Sequence, residues 1–254
     1  LGDVYKRQVI TSYDALLSQE VYRDTLRPDC MLQIGQMVVS KRVQQWVASM
    51  QHIPIISVSP TMDYTNPAGN TTLFVQSTPQ GLVDALNMEI SELHVMANEV
   101  HAEVADEELN TVDNGYLATW IDADGVGRKQ LDTVAREQEL FEGYTIHLLQ
   151  ELLPKNSQLV VANSMSIRDM DYFWSGNRHS AIIYGNRGVN GIDGTVSTAL
   201  GIATNGMPTV LLTGDLTFFH DLNGLAVAKT HPLNVTIIVH NNDGGGIFEY
   251  LPQK

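Results

Sequence analysis

Short runs of Val, Ile and Leu alternate along the chain with longer stretches in which apolar residues recur at helical spacing. This pattern predicts strands of a parallel sheet joined by crossover helices. In the first half, Cys30–Ile34 and Ile53–Val58 read as strands. Between them Val39, Val43, Trp46 and Val47 give Gln36–Met50 one apolar face, as in an amphipathic helix. Asp63–Thr72, with Asn66-Pro67, Gly69 and Asn70, reads as a loop. From Pro79 to about Leu109 the chain reads as a helix, and Glu99, Glu103, Asp106, Glu107 and Glu108 make a solvated acidic face. Asp122-Ala123-Asp124-Gly125-Val126-Gly127 is expected to interrupt two helical stretches and to mark a domain boundary. It is not a calcium loop, because Arg128, Lys129 and Gln130 stand where further oxygen donors are needed.

After Gly127 the alternation becomes more regular. A helix over about Leu131–Leu153 leads to a strand at Leu159–Ala162, a helix around Arg168–Trp174 and a strand at Ala181–Tyr184. A helix near Thr195–Thr204, a strand at Thr209–Thr213, a helix near Leu222–Lys229 and a strand at Val235–Val239 follow. The fold class is therefore α/β with doubly wound parallel sheets, whose ligands bind outside the carboxyl ends of the strands. The longest apolar runs have strand length, far short of the roughly 18 to 20 residues needed to span a bilayer.

Composition narrows the function. The chain has 254 residues, 43% hydrophobic and 17% charged, enough for a sizeable core. Fifteen basic against 29 acidic residues leave a net charge of −14, which disfavours nucleic acid and anionic membrane surfaces as partners. The single cysteine, Cys30, excludes an intrachain disulfide, suits a reducing, cytoplasmic compartment and reads as a small buried residue. Leu1–Gln8 resembles a translated adapter, and the chain stops just after a glycine-rich loop, so both ends are expected to be cut.

Polar and glycine-rich turns follow four successive strands: Asn163–Arg168, Gly185–Gly188, Gly214-Asp215 and Asn241–Gly246. Asp215 and Asn242, 27 residues apart and each after a β-run, offer two hard oxygen ligands, and a backbone carbonyl of the glycine loop offers a third. Magnesium takes a few such ligands from protein and the rest from phosphates and water. Gly214, Gly244, Gly245 and Gly246 would let the backbone approach phosphate oxygens, and a helix beginning near Gly246 would aim its free amides at them.

Gly214-Asp215 followed by Asn242 resembles the thiamine diphosphate motif, with Leu216 in place of the glycine common in that superfamily. Gly214–Gly224, Asn241–Phe248, Asn163–Asp169 and Asn186–Thr195 resemble the corresponding segments of the MenD family, the 2-succinyl-5-enolpyruvyl-6-hydroxy-3-cyclohexene-1-carboxylate synthases. Upstream, Ile34-Gly35 and Ser40-Lys41-Arg42 are similar to that family's middle domain, so the resemblance covers essentially Pro28 to Gln253.

The resemblance implies a subunit of three domains. Residues 1–125 would be a truncated middle domain and 126–254 a truncated diphosphate-binding domain, while the domain that holds the pyrimidine ring and its activating glutamate has no counterpart here. No catalytic residue is therefore assigned, and the fragment is not expected to turn over alone. The implied cofactors are thiamine diphosphate and Mg2+ or Mn2+. Asp215, Asn242 and the Gly244 carbonyl would hold the metal. Ile192 would be the apolar wedge behind the cofactor, although on sequence alone it is equally a core residue, and Leu216, Gly214, Gly245, Gly246 and Ile247 would complete the cofactor site. The family reaction is a transferase step of menaquinone biosynthesis that joins 2-oxoglutarate, after loss of carbon dioxide, to isochorismate, in a homodimer or tetramer. Both substrates are dicarboxylates. Asn163–Asn190 holds three arginines against two aspartates in an otherwise acidic chain. Arg168 and Arg187, which offer planar forks to carboxylates, are the expected substrate ligands. Asn163 and Ser164 would donate beside them, with Lys41 as a further candidate and Arg178 as a surface charge. Another thiamine diphosphate-dependent 2-oxoacid decarboxylase or synthase, or a non-catalytic nucleotide-binding fragment, are the alternative readings.

Overall fold

The computed structural model of the chain describes residues 9–61, 63, 65–100, 115–137, 141–175 and 181–250. Arg178, the acidic positions Glu103 and Asp106 to Glu108, and both chain ends lie outside the described residues. The chain divides into two compact units, Leu1–Gly125 and Val126–Lys254.

In the first unit, β1 (Met31–Ile34), β2 (Ile55–Ser59) and β3 (Leu73–Gln76) form a parallel sheet in the order β1-β2-β3. Met31 pairs with Ile55, and Ile56 with Leu73. The predicted amphipathic helix is Lys41–Ala48, capped by Ser40 Oγ, which accepts from the Val43 N–H at 3.1 Å. Its buried Trp46 and Val47 face the core, where Trp46 meets the edge of Trp120 with ring centroids 6.1 Å apart. Two short helices, Tyr13–Leu16 and Glu20–Thr25, escape the periodicity because neither is long enough to repeat an apolar face. Cys30, expected to be buried, is exposed, since it precedes the first paired residue of β1.

The expected break at Asp122–Gly127 is a correction: one helix, Gly115–Glu137, runs through it, although the division between the units falls within this stretch. Each glycine costs a helix only about 1 kcal/mol, and tertiary packing offsets that cost. Ala123 is buried with Leu16 and Leu26. Asp124 Oδ1 accepts hydrogen bonds from the Thr11 N–H at 2.9 Å, the Ser12 N–H at 2.6 Å and Ser12 Oγ at 2.7 Å. An aspartate that looks like loop punctuation in the sequence thus serves as a tertiary acceptor.

In the second unit, β4 (Gln158–Val161), β5 (Ile182–Gly185), β6 (Thr209–Gly214) and β7 (Val235–His240) form an all-parallel sheet in the order β5-β4-β6-β7. Every residue of β4 is buried, as is β6 up to Thr213. Leu159, Val161 and Leu212 pack with Ile146, Leu149, Leu153 and Met170 in one cluster. Val160 and Leu211 point the other way, onto Val196, Ala199 and Leu200. Alternate residues of the same strands thus feed two helical layers, as a doubly wound fold requires. The predicted Leu131–Leu153 helix is two pieces, the end of Gly115–Glu137 and Glu142–Leu152, and Leu222–Lys229 is a 3-10 helix. From β4 the chain passes to β5 on one side and then to β6 on the other, so the switch point of the sheet lies between β4 and β6.

Asp124→Ala removes three hydrogen bonds at once and is expected to lower stability by about 1–3 kcal/mol, read from the midpoint of urea unfolding. An unchanged midpoint would contradict the tertiary role given to this residue.

Candidate functional site

A pocket of about 170 Å3 opens at the carboxyl edge of the second sheet. It is lined by Asn163 and Ser164 after β4, Ile192 from the loop after β5, Gly214, Asp215 and Leu216 at the end of β6, and Asn242, Gly245, Gly246 and Ile247 after β7. These residues were all expected at the site from the sequence. Glu142, Met165, Ser166, Thr217, His240 and Phe248 complete the wall.

Register explains the meeting of Asp215 and Asn242. Gly214 pairs with His240, so the two oxygen donors stand one and two residues beyond a paired position on adjacent strands. Asp215 opens a short α-helix, Asp215–His220, which the sequence pattern did not indicate. Its Oδ1 accepts from the Leu216 N–H at 2.7 Å and its Oδ2 from the Gly244 N–H at 2.8 Å. The second bond ties the end of β6 to the glycine loop. That loop turns through three left-handed residues, Asp243 (φ +60°), Gly244 (φ +82°) and Gly245 (φ +73°), a conformation natural to glycine. A Cβ on Gly214 would meet no protein atom, so this wall of the pocket stays open.

Asn242 Nδ2 donates to Glu142 Oε1 at 3.0 Å, which leaves Oδ1 as the amide's ligand atom. With the Asp215 carboxylate and the Gly244 carbonyl the set is all hard oxygen, which fits Mg2+ or Mn2+. The expected helix at Gly246 is instead a five-residue 3-10 turn, Gly246–Tyr250, closed by a bond from the Phe248 N–H to the Gly245 carbonyl at 2.9 Å. Its few amides cannot supply the helix terminus foreseen for phosphate, which leaves the glycine loop as the backbone surface for an anion.

The arginines stand beside this pocket. Arg187 Nη1 donates to Asn163 Oδ1 at 2.6 Å, while Asn163 Nδ2 donates to the carbonyls of Asn186 and Gly191 at 2.9 and 2.6 Å. Asn163 is only 1% exposed. It therefore braces Arg187 and the β5 loop from below, with its amide engaged inside the protein. Arg168 Nη1 donates to the Ser164 carbonyl at 2.5 Å. Burial, and then the neighbouring charge of Arg168, lower the Arg187 guanidinium below its ordinary pKa. Two cations held this close favour an anion between or beside them. Lys41 belongs to the first unit, exposed at the start of helix Lys41–Ala48.

Glu142 and His240, which line the pocket, cluster with buried Asp169, and none of the three has a role in the sequence pattern. Ligand atoms of Glu142, Asp169 and His240 lie within 4.8 Å of one another. Asp169 is 8% exposed, and its Oδ2 and the Nε2 of His240 are buried without a hydrogen bond among the described residues. Burial first, then the charge of Glu142 and a hydrogen bond with it, push the Asp169 carboxyl up to about 8, against the pull of Arg168. Burial lowers the pKa of His240, while Glu142 opposes the shift. The only trace of this cluster in the sequence is the place of Asp169 at the end of a family-like segment.

The folded state keeps the Asp169 proton up to about pH 8, whereas an unfolded chain releases it near the ordinary 3.8. Its contribution to stability therefore falls as pH rises through that window. Asp169→Asn cannot ionise and should flatten the fall of the melting temperature between about pH 5 and 8. Equal slopes in the two proteins would contradict the assignment of a proton to Asp169.

Residues 164–254 match the C-terminal TPP-binding domain of thiamine pyrophosphate enzymes, and thiamine pyrophosphate is another name for thiamine diphosphate. Over 97% of its length the chain is 47% identical to the 2-succinyl-5-enolpyruvyl-6-hydroxy-3-cyclohexene-1-carboxylate synthase of Lactococcus lactis subsp. lactis, of which it spans 40%. It is 41% identical to the synthase of that name from Desulfitobacterium hafniense over 97% of the chain and 41% of the relative. With the Bacillus cytotoxicus synthase it shares 37% identity over 99% of the chain and 40% of the relative. Over 97% of its length the chain is thus homologous to 2-succinyl-5-enolpyruvyl-6-hydroxy-3-cyclohexene-1-carboxylate synthases, of which it spans about two-fifths, and its last 91 residues match the C-terminal TPP-binding domain of thiamine pyrophosphate enzymes.

Proposed function

We propose that the full-length protein carrying this chain is a thiamine diphosphate- and magnesium-dependent transferase of menaquinone biosynthesis. It joins 2-oxoglutarate, with loss of carbon dioxide, to isochorismate, and the product is 2-succinyl-5-enolpyruvyl-6-hydroxy-3-cyclohexene-1-carboxylate. The observation that carries this reading is the placement of Asp215 and Asn242 at adjacent strand ends, with Asp215 tied to the glycine loop by the Gly244 N–H, on a pocket inside the matched domain.

In this reading Asp215 Oδ1 or Oδ2, Asn242 Oδ1 and the Gly244 carbonyl hold Mg2+ or Mn2+, and Gly214, Gly245 and Gly246 admit the diphosphate. Ile192, Leu216 and Ile247 supply apolar walls. Thiamine diphosphate, when bound, supplies a nucleophilic carbon and the electron sink that decarboxylation needs. The protein's own contribution is position and charge. Arg187, braced by Asn163, and Arg168, beside Ser164, pair with the carboxylates of the two dianionic substrates, and Lys41 serves as a further cation. Binding of that kind is local in a protein whose overall charge repels the substrates. The glutamate that activates the cofactor lies on a pyrimidine-binding domain of the full-length protein, so this chain alone does not turn over. A homodimer or tetramer with cofactor shared between subunits, in the cytoplasm, completes the reading. It is consistent with a lone exposed cysteine and with the absence, among the described residues, of a helix able to cross a membrane.

The test is carbon dioxide release from 2-oxoglutarate in the presence of isochorismate by the full-length protein. Activity with pyruvate and none with 2-oxoglutarate would overturn the reading. Asp215→Ala is expected to weaken thiamine diphosphate binding with Mg2+ by more than about tenfold in calorimetry, and unchanged affinity would remove Asp215 from the site. Arg187→Lys keeps the charge and loses the fork. It should lower kcat/KM for the substrates about 10- to 100-fold with cofactor affinity unchanged, whereas equal losses in both would contradict a substrate role.

A further inference from the structure

An asparagine ligand presents a difficulty that a carboxylate does not. Its amide has one oxygen that can hold a cation and one NH2 that cannot, and a half-turn of the terminal torsion exchanges them. In this pocket the half-turn is decided from outside the glycine loop. Asn242 Nδ2 donates to Glu142 Oε1 at 3.0 Å, across 100 residues of sequence. An ionised carboxylate only accepts hydrogen bonds, so the amide must turn its nitrogen to Glu142.

Two further features hold the pair in place. A Cβ at Gly246 would lie 2.7 Å from Asn242 Nδ2, so the amide rests against backbone that carries no side chain. Glu142 is the first residue of helix Glu142–Leu152, where free amides favour a negative charge. The next residue is buried Gly143, and a Cβ there would stand 2.5 and 2.6 Å from the rings of Phe141 and Phe173. The helix backbone next to Glu142 is therefore closely packed against two aromatic rings.

We propose that Glu142 is a positioning residue for the cation: it fixes the Asn242 amide so that Oδ1 is the atom offered to the metal. This role rests on the proposed magnesium and thiamine diphosphate site and adds to it the residue that makes an amide dependable there. Glu142 touches neither metal nor substrate in this role; because it also interacts with Asp169 and His240, the effect through Asn242 is isolated by an Asn242→Asp background.

The experiment is calorimetric titration of the full-length protein with Mg2+ and thiamine diphosphate. Glu142→Met keeps bulk and helix propensity but accepts nothing, and should weaken Mg2+-dependent binding about 10- to 100-fold. In an Asn242→Asp background both terminal atoms are oxygens, the half-turn has no consequence, and adding Glu142→Met should cost nothing. Unchanged binding in Glu142→Met overturns the role. So does an equal loss in the Asn242→Asp background, which would indicate general damage. If the unsubstituted protein binds no thiamine diphosphate with Mg2+, the site itself fails, and the failure is distinguishable from that of Glu142.

Discussion

The parallel pairing of β4 with β5 on one side and β6 on the other is the constraint on which the second unit depends. Parallel neighbours require crossovers, and crossovers that leave a strand in opposite directions cannot both cover its carboxyl end. The pocket occupies that uncovered place. Burial of β4 and β6 from both faces also fixes register, because a slip of one residue would exchange the two helical layers that their side chains fill. Gly214 pairs with His240, which puts Asp215 and Asn242 just beyond a paired position on adjacent strands. The proposed cation site would follow from strand register, with the Gly244 N–H holding Asp215 to the glycine loop.

Electrostatics divides the pocket's surroundings. On one side Glu142 and Asp169 crowd two carboxyls together, and burial leaves one of them holding a proton at neutral pH. On the other side partly buried Arg187 and exposed Arg168 repel one another. A chain of net charge −14 thus carries cations where dianionic substrates would approach and hard oxygens where a divalent metal would sit. Asn163 supports the cationic part, because its amide anchors the β5 loop and its oxygen aligns Arg187.

The strands of the second sheet, and β1 and β2 of the first, were legible in the sequence as short apolar runs, most plainly β4, which is buried on both faces; β3, short and largely exposed, was not. Asp215, Asn242 and the glycines were legible because hard ligands after consecutive β-runs point to one edge. What was not legible is tertiary. Asp124 and the glycines around it look like a linker, yet the packing of Ala123 and the bonds from Thr11 and Ser12 keep the helix intact. Asn163 has the residue type of a substrate donor, but only the folded β5 loop shows its amide already engaged. Glu142 follows Phe141 at an ordinary helix start, and nothing local distinguishes it from a solvated first-turn acid. Its partner lies 100 residues away, beyond any spacing rule.

The most direct test of the cation site is the anomalous scattering of Mn2+ in crystals of the full-length protein grown with thiamine diphosphate. The account predicts a peak ligated by the Asp215 carboxylate, Asn242 Oδ1 and the Gly244 carbonyl, with Asn242 Nδ2 still facing Glu142. A peak held instead by Glu142, Asp169 and His240, or an Asn242 amide turned with its nitrogen to the metal loop, would contradict it.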